Sequence, residues 1–301
     1  MDFSFLSLGY MQKGLAAALL VGTSCALAGV FIILRHIVFV SMVLAQLAVL
    51  GLSIAMFLQL SHAMEFVMAF GATLLGVVYL ALFQNERKSP PDALLGMGFA
   101  GCHALSLLLL AKSSQGLEEI RHMMSGNLLS VTAGEVQILT LAAAAMFLIH
   151  VLGHRSFVFI CSDSEFARVS GKNVRAWELL FYISLGLVIS LSLQMTGIFY
   201  VFSCLIFPGM VGLVLGNSFA IIQIISVMFA LVTGFTGVWL SFAWDFPTSE
   251  AIIACQLIMF TALAFSRAIL QKTLLRRKIR LIGRWLKKRR SATVMQVADN
   301  S

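Results

Sequence analysis

The sequence predicts an all-α fold, a polytopic transmembrane helical bundle of about eight to nine spans. Three observations predict it. Of the 301 residues, 60% are hydrophobic and 11% are charged, against roughly 25% charged in a soluble domain. Nine apolar stretches follow one another, at 15–34, 37–60, 62–83, 93–111, 134–152, 176–195, 197–215, 220–242 and 250–270, and a helix needs about 20 residues to cross the hydrocarbon layer. Lysine and arginine fall almost wholly on one side of the layer that these stretches define. A transmembrane barrel would need short alternating segments, and none recur.

The breaks between stretches have local causes. The N-terminus has no basic region ahead of an apolar core and no small-residue cleavage site, so 15–34 reads as a retained first span. The polar turn Asn85-Glu-Arg-Lys-Ser-Pro-Pro91 separates the third and fourth spans. Thr132 and Glu135 have capping-box spacing at the start of the fifth. Pro208 lies inside the seventh, where the missing backbone donor predicts a kink or break.

With the N-terminus outside, the inner loops hold Arg35, Arg87, Lys88, Arg155, Arg168, Lys172 and Arg175, and the tail from Arg267 onward adds eleven more basic residues. Only Lys13, Lys112 and Arg121 remain outside, and eighteen against three sets the sidedness. The domain reading is therefore a membrane domain at 1–270, with its longest inner loop at 153–175, and a basic cytoplasmic tail at 271–301. Within that tail Leu274, Leu275, Ile279, Ile282, Trp285 and Leu286 stand among the arginines and lysines. That pattern suits a helix lying on anionic membrane lipids and leaves no need for nucleic acid as a partner. The five cysteines are isolated, with no Cys-x-x-Cys, and read as buried small hydrophobes. No cofactor is signalled.

The inner loop 153–175 is the most informative stretch. Ser162 and Glu165 have capping-box spacing, which predicts a short helix starting near Asp163, and Gly171 is placed to end it. Such a helix can merely turn the chain, or it can dock into a groove on a cytosolic motor.

Asp163-x-Glu165-x-Ala167-x-x-x-Gly171 resembles the coupling loop of the zinc/manganese/iron ABC importer permeases. Other stretches resemble that family in the same order: Asp92-Ala-Leu-Leu-Gly96, Ser125-Gly-Asn-Leu-Leu-Ser-Val-Thr132, Gln194-Met-Thr-Gly197 followed by Ile206-Phe-Pro-Gly209, and Asp245-Phe-Pro-Thr248. Arg35 matches a basic position of the family. The resemblance covers about 15–270. It implies a multi-pass permease of the bacterial inner (plasma) membrane, working by alternating access. It also implies an ATP-binding cassette subunit docked at Asp163, Glu165, Ala167 and Gly171, an extracytoplasmic substrate-binding protein, and a second permease copy, identical or not. The chain carries no Gly-x-x-x-x-Gly-Lys-(Ser/Thr) loop, so the motor's ATPase site is expected on that separate subunit.

The chain departs from the family in its second span. The usual Asp and His, one helical turn apart, are replaced by Met42 and Gln46. A thioether and an amide carbonyl hold zinc or manganese less well than a carboxylate and an imidazole. Three readings follow: an ion that passes without pausing, a different metal or chelate, or half of a heterodimer whose partner supplies the ligands. His103 in the fourth span and Gln194 near the end of the sixth are further path candidates, against the plainer reading of His103 as a histidine bonded to a neighbouring helix. His62, Glu65 and His103 are the candidate metal ligands, with interfacial placement the plain alternative for His62 and Glu65. Glu118, Glu119 and His122 on the outer loop could meet a binding protein or form a solvated face. Glu178 begins the sixth span, where a helix N-terminus favours negative charge.

Other classes fare less well. An ion-gradient carrier would place acids inside the spans, and the span cores hold almost none. A membrane enzyme is disfavoured because no His-Glu-x-x-His and no Gly-x-Ser-x-Gly occurs. A scaffold without transport remains an alternative because the Asp/His pair is missing.

Overall fold

The computed structural model describes residues 7–83, 91–112, 124–267 and 269. The chain divides into two units, Met1–Leu257 and Ile258–Ser301. Among the described residues the first unit holds α1 (Gly9–Leu34), α2 (Val38–Phe57), α3 (His62–Phe83), α4 (Pro91–Leu110), α5 (Ala133–Ser162), α6 (Ser164–Val169), α7 (Val174–Thr196), α8 (Ile198–Leu215) and α9 (Phe219–Trp244). A last helix, α10 (Thr248–Arg267), starts in the first unit. In the second unit the residues described up to Arg267 are helical. The basic tail, the turn at 84–90 and the outer-loop residues Glu118, Glu119 and His122 lie outside the described residues.

The nine apolar stretches correspond to nine of these helices. Seven are long and apolar enough to cross a membrane, and α3 and α4 contribute shorter apolar cores, Ala63–Tyr79 and Leu95–Leu110. Two boundaries differ from expectation. α1 begins at Gly9 and not at 15, because Gln12 and Lys13 sit on exposed positions of its first turns. α5 runs through Ser162, so the inner loop is shorter than 153–175. Its start is as expected, with Thr132 and Glu135 forming a reciprocal capping box. α8 continues through Pro208 as a single helix.

Hydrocarbon gives apolar helices little reason to prefer each other over lipid, so close packing of small residues must hold such a bundle together. α1 shows this most clearly. Ala17, Ala18, Val21, Cys25, Ala26 and Ala28 are all buried, and the helix packs against α8, α9 and α5. At its crossing with α8 the backbones nearly touch. A Cβ on Gly29 would overlap the Leu205 carbonyl, and one on Gly209 would meet the Gly29 carbonyl carbon at 3.1 Å. The Tyr200 hydroxyl, on α8, donates to the Ala18 carbonyl at 2.7 Å. Buried Ser53, Thr73 and Thr233 turn their hydroxyls onto carbonyls four residues back, which satisfies them without water.

α2 is flanked by α3 and α4 and also touches α7. At the end of the bundle that the charge count assigns to the outside, here the outer rim, three stretches from different parts of the chain meet. The Asn127 N–H donates to the Met195 carbonyl at 3.1 Å, and the Ser249 hydroxyl donates to the Thr196 carbonyl at 3.1 Å. Gly126 and Gly197 face each other with φ of 67° and 78°, and a Cβ on Gly197 would stand 2.6 Å from the Gly126 nitrogen. Only glycine suits that pair of positive angles at that distance.

Candidate functional site

A cavity of about 20 Å³ lies where α2, α4 and the start of α8 meet, lined by Gln46, Val49, His103, Ser106, Leu107, Leu110, Met124 and Ile198. That is room for one water or one bare ion. Helical periodicity builds its walls. Gln46 and Val49 are three apart on α2, and His103, Ser106, Leu107 and Leu110 share one face of α4. Gln46 is buried, and its Oε1 has no hydrogen-bond partner. The Ser106 hydroxyl is committed to the Cys102 carbonyl at 2.7 Å. His103 is half-buried and its ring is stacked on Phe99. The donor types lining the space are thus an amide carbonyl, an imidazole and the Met124 thioether. No carboxylate or thiolate is among the lining residues.

Of the four path candidates, the fold therefore brings Gln46 and His103 together. Met42 sits one turn toward the inner end of α2, half-buried and away from the lining. Gln194 is near the outer end of α7, with its Nε2 buried and unpartnered, but it does not line the cavity either. The His62 side chain lies outside the described residues, and Glu65 is half-buried in the first turn of α3. Among the described residues no group of three or more His, Cys, Asp or Glu stands together.

The second site is at the inner rim. α6 is a short helix whose cap is Asp163, not Ser162: the Asp163 Oδ1 accepts from the Phe166 N–H at 2.9 Å. Its end is where Gly171 was expected to place it. Gly171 has φ 80°, and the Lys172 N–H bonds back to the Ala167 carbonyl at 3.0 Å. Ala167 is fully buried in a small core with Ile160 and Val174, against which Phe159 and Trp177 pack. Ala167 thus seats the helix, while Asp163, Glu165 and Arg168 are exposed. Phe166 and Val169 are apolar yet 58% and 86% exposed.

Three features were not found from sequence. Glu178, read as a charge at a helix start, pairs with Arg35 of the α1–α2 elbow. Burial works against the Arg35 charge, but the bond to Glu178 and that carboxylate's field more than offset it and raise the pKa above the ordinary arginine value. The available signal was that both charges stand at the inner ends of spans. His150 is buried among Phe31, Phe157 and Phe181, with Nδ1 on the Met146 carbonyl and Nε2 unpartnered. Met124 enters the cavity lining from the outer loop, which no periodicity could signal.

An α-helical bundle with seven helices long and apolar enough to cross a membrane, and a small, mostly apolar cavity carrying Gln46 and His103, defines a multi-pass membrane protein. The chain belongs to the ABC 3 transport family, whose profile matches residues 7–267, and it is a multi-pass permease component of the bacterial plasma membrane. It is 28% identical over 260 residues to the manganese transport system membrane protein MntC of Halalkalibacterium halodurans, covering 86% of this chain and 88% of that one. It is 24% identical over 251 residues to the chelated iron transport system membrane protein YfeD of Yersinia pestis, covering 83% of each. Among solved structures, PsaBC from Streptococcus pneumoniae in complex with Fab shares the fold, with a TM-score of 0.78, 20% identity, and coverage of 87% of this chain and 95% of that one. The family resemblance drawn from the inner loop and the other motifs is borne out.

Proposed function

We infer that this permease imports a divalent transition metal, of the manganese and iron kind named for its relatives, and that a separate ATP-binding cassette subunit drives it through α6. The observation that carries this reading is the pair Phe166 and Val169. They are apolar and exposed on a helix at the inner rim that is capped at one end by Asp163 and closed at the other by Gly171. Exposed apolar side chains on such a rigid element suit a protein groove better than water. ATP closing the motor moves α6, and the spans alternate access around the cavity at Gln46 and His103. A binding protein delivers the ion at the outer rim, where residues 124–130, 194–197 and 245–249 converge, and a second permease copy completes the path.

The neutral donors of the cavity favour passage over tight retention, since an amide oxygen and an imidazole hold a divalent ion less firmly than the family's carboxylate and imidazole. The test is reconstitution with the ATPase subunit in vesicles. Manganese or iron uptake should require ATP, and Val169→Asp should abolish both co-purification and uptake. Uptake driven by an ion gradient without ATP would replace this reading with a secondary carrier.

A further inference from the structure

At the inner rim a chain of side-chain contacts joins α6 to α2, beside the direct packing of α7 on α2. Trp177, in the first turn of α7, packs against both the small core beneath α6 and the main core of the bundle, with its ring edge-on to Phe157 at 5.4 Å. The next residue, Glu178, forms the ion pair with Arg35, 143 positions away in sequence. Arg35 caps the end of α1, and three residues, Arg35 to Ile37, separate α1 from α2. The turn is fixed by His36 at φ 57° and by backbone bonds from His36 and Ile37 to the Ile33 and Ile32 carbonyls. Two turns and more into α2 stands Gln46, on the cavity wall. Both charged side chains are about four-fifths buried, at 19% and 22% exposure, where an ion pair is screened less than at an open surface. The start of α7 packs closely around the elbow, with Phe181 against Phe31 and Trp177 against Phe157. A void of about 10 Å³ is left beside the pair, lined by Arg35 and Glu178 together with Phe31, Phe157 and Trp177, so the charges add a tie to the packing of these elements.

We propose that Arg35 and Glu178 are positioning residues that transmit the movement of α6 to α2, so that the ion pair sets how much transport each ATP produces. The proposal rests on the reading of α6 as the motor-docking helix. Apolar packing between helices can slide from one register to the next, whereas a buried pair resists separation because each charge, once parted, is left uncompensated. The pair would therefore hold the elbow to α7 throughout the cycle.

The test uses the complete permease–ATPase complex in vesicles, with manganese as the transported ion. Arg35→Gln and Glu178→Gln should leave ATPase co-purification and basal hydrolysis unchanged while lowering ions moved per ATP by about tenfold, within the range of ordinary coupling between sites. The exchange Arg35→Glu with Glu178→Arg should recover most of that ratio, and it is the fall in ratio at unchanged assembly and basal hydrolysis that a merely structural role would not produce. If the single variants fail to assemble, Arg35→Lys and Glu178→Asp keep the charges and should lower the ratio by a smaller factor at normal assembly. A normal ratio in the single variants, no recovery in the exchange, or a normal ratio in both conservative variants overturns the proposal. Loss of ATPase co-purification in Val169→Asp is a separate readout that bears on the docking reading alone.

Discussion

The outer and inner rims of the bundle are held in opposite ways. On the outer rim backbone meets backbone, with Gly126 against Gly197 and the Asn127 N–H on the Met195 carbonyl, and one side chain, the Ser249 hydroxyl, adds a bond to the Thr196 carbonyl. On the inner rim side chains do the joining: Arg35 with Glu178, Trp177 against two cores, and Ala167 beneath α6. Backbone contact at van der Waals distance has one solution and yields little. Side-chain contacts can be altered one residue at a time, and the buried Arg35–Glu178 pair among them resists separation. The glycine contacts of the outer rim leave that rim little room to change shape.

The comparison can be broken most decisively at the outer rim. Gly197→Val places a branched side chain at φ 78° against the Gly126 backbone. It should cost about 3 kcal/mol or more, seen as loss of folded protein or a large fall in Tm after detergent extraction. An unchanged Tm would mean that the rim is not rigid. At the inner rim Val169→Asp should leave Tm in place, since the side chain touches little, while ATPase association weakens by at least about tenfold in a pull-down titration. Gln46→Ala sharpens the contrast from the middle of the bundle. Removing a buried carbonyl that has no partner should cost no stability and can add about 1 kcal/mol, while metal uptake falls several-fold. Equal losses of Tm and uptake would assign Gln46 to packing. The smallest effect expected is for Thr132→Ala, which removes the α5 cap at a cost of about 1 kcal/mol and should leave uptake per ATP unchanged.

Most of the fold was legible because hydropathy is a strong signal when the solvent is hydrocarbon. Each apolar stretch became a helix, and the capping box at Thr132 and the stop at Gly171 were readable from spacing alone. The inner end of the fifth span was not. Gly153, His154, Arg155 and Ser156 read as loop, yet the helix runs on because Phe157 packs on Phe31 and Trp177 and Ile160 packs on Ala167. The site was legible in part. Gln46 and His103 were each path candidates on their own helices, but only the side-by-side packing of α2 and α4 puts them on one cavity. The partner of Glu178 was signalled only by both charges standing at the inner ends of spans, because a pair separated by 143 residues leaves no periodic trace.

The 30 residues of α5 make a rod about 45 Å long, longer than the roughly 30 Å of hydrocarbon it crosses. A helix of that length tilts in the bilayer or reaches past the lipid tails, and α6 follows directly after its inner end. Such a rod acts as a lever: tilting it by about ten degrees around its outer end would sweep the tip by some 8 Å, so a small rotation within the bilayer matches a large stroke below it.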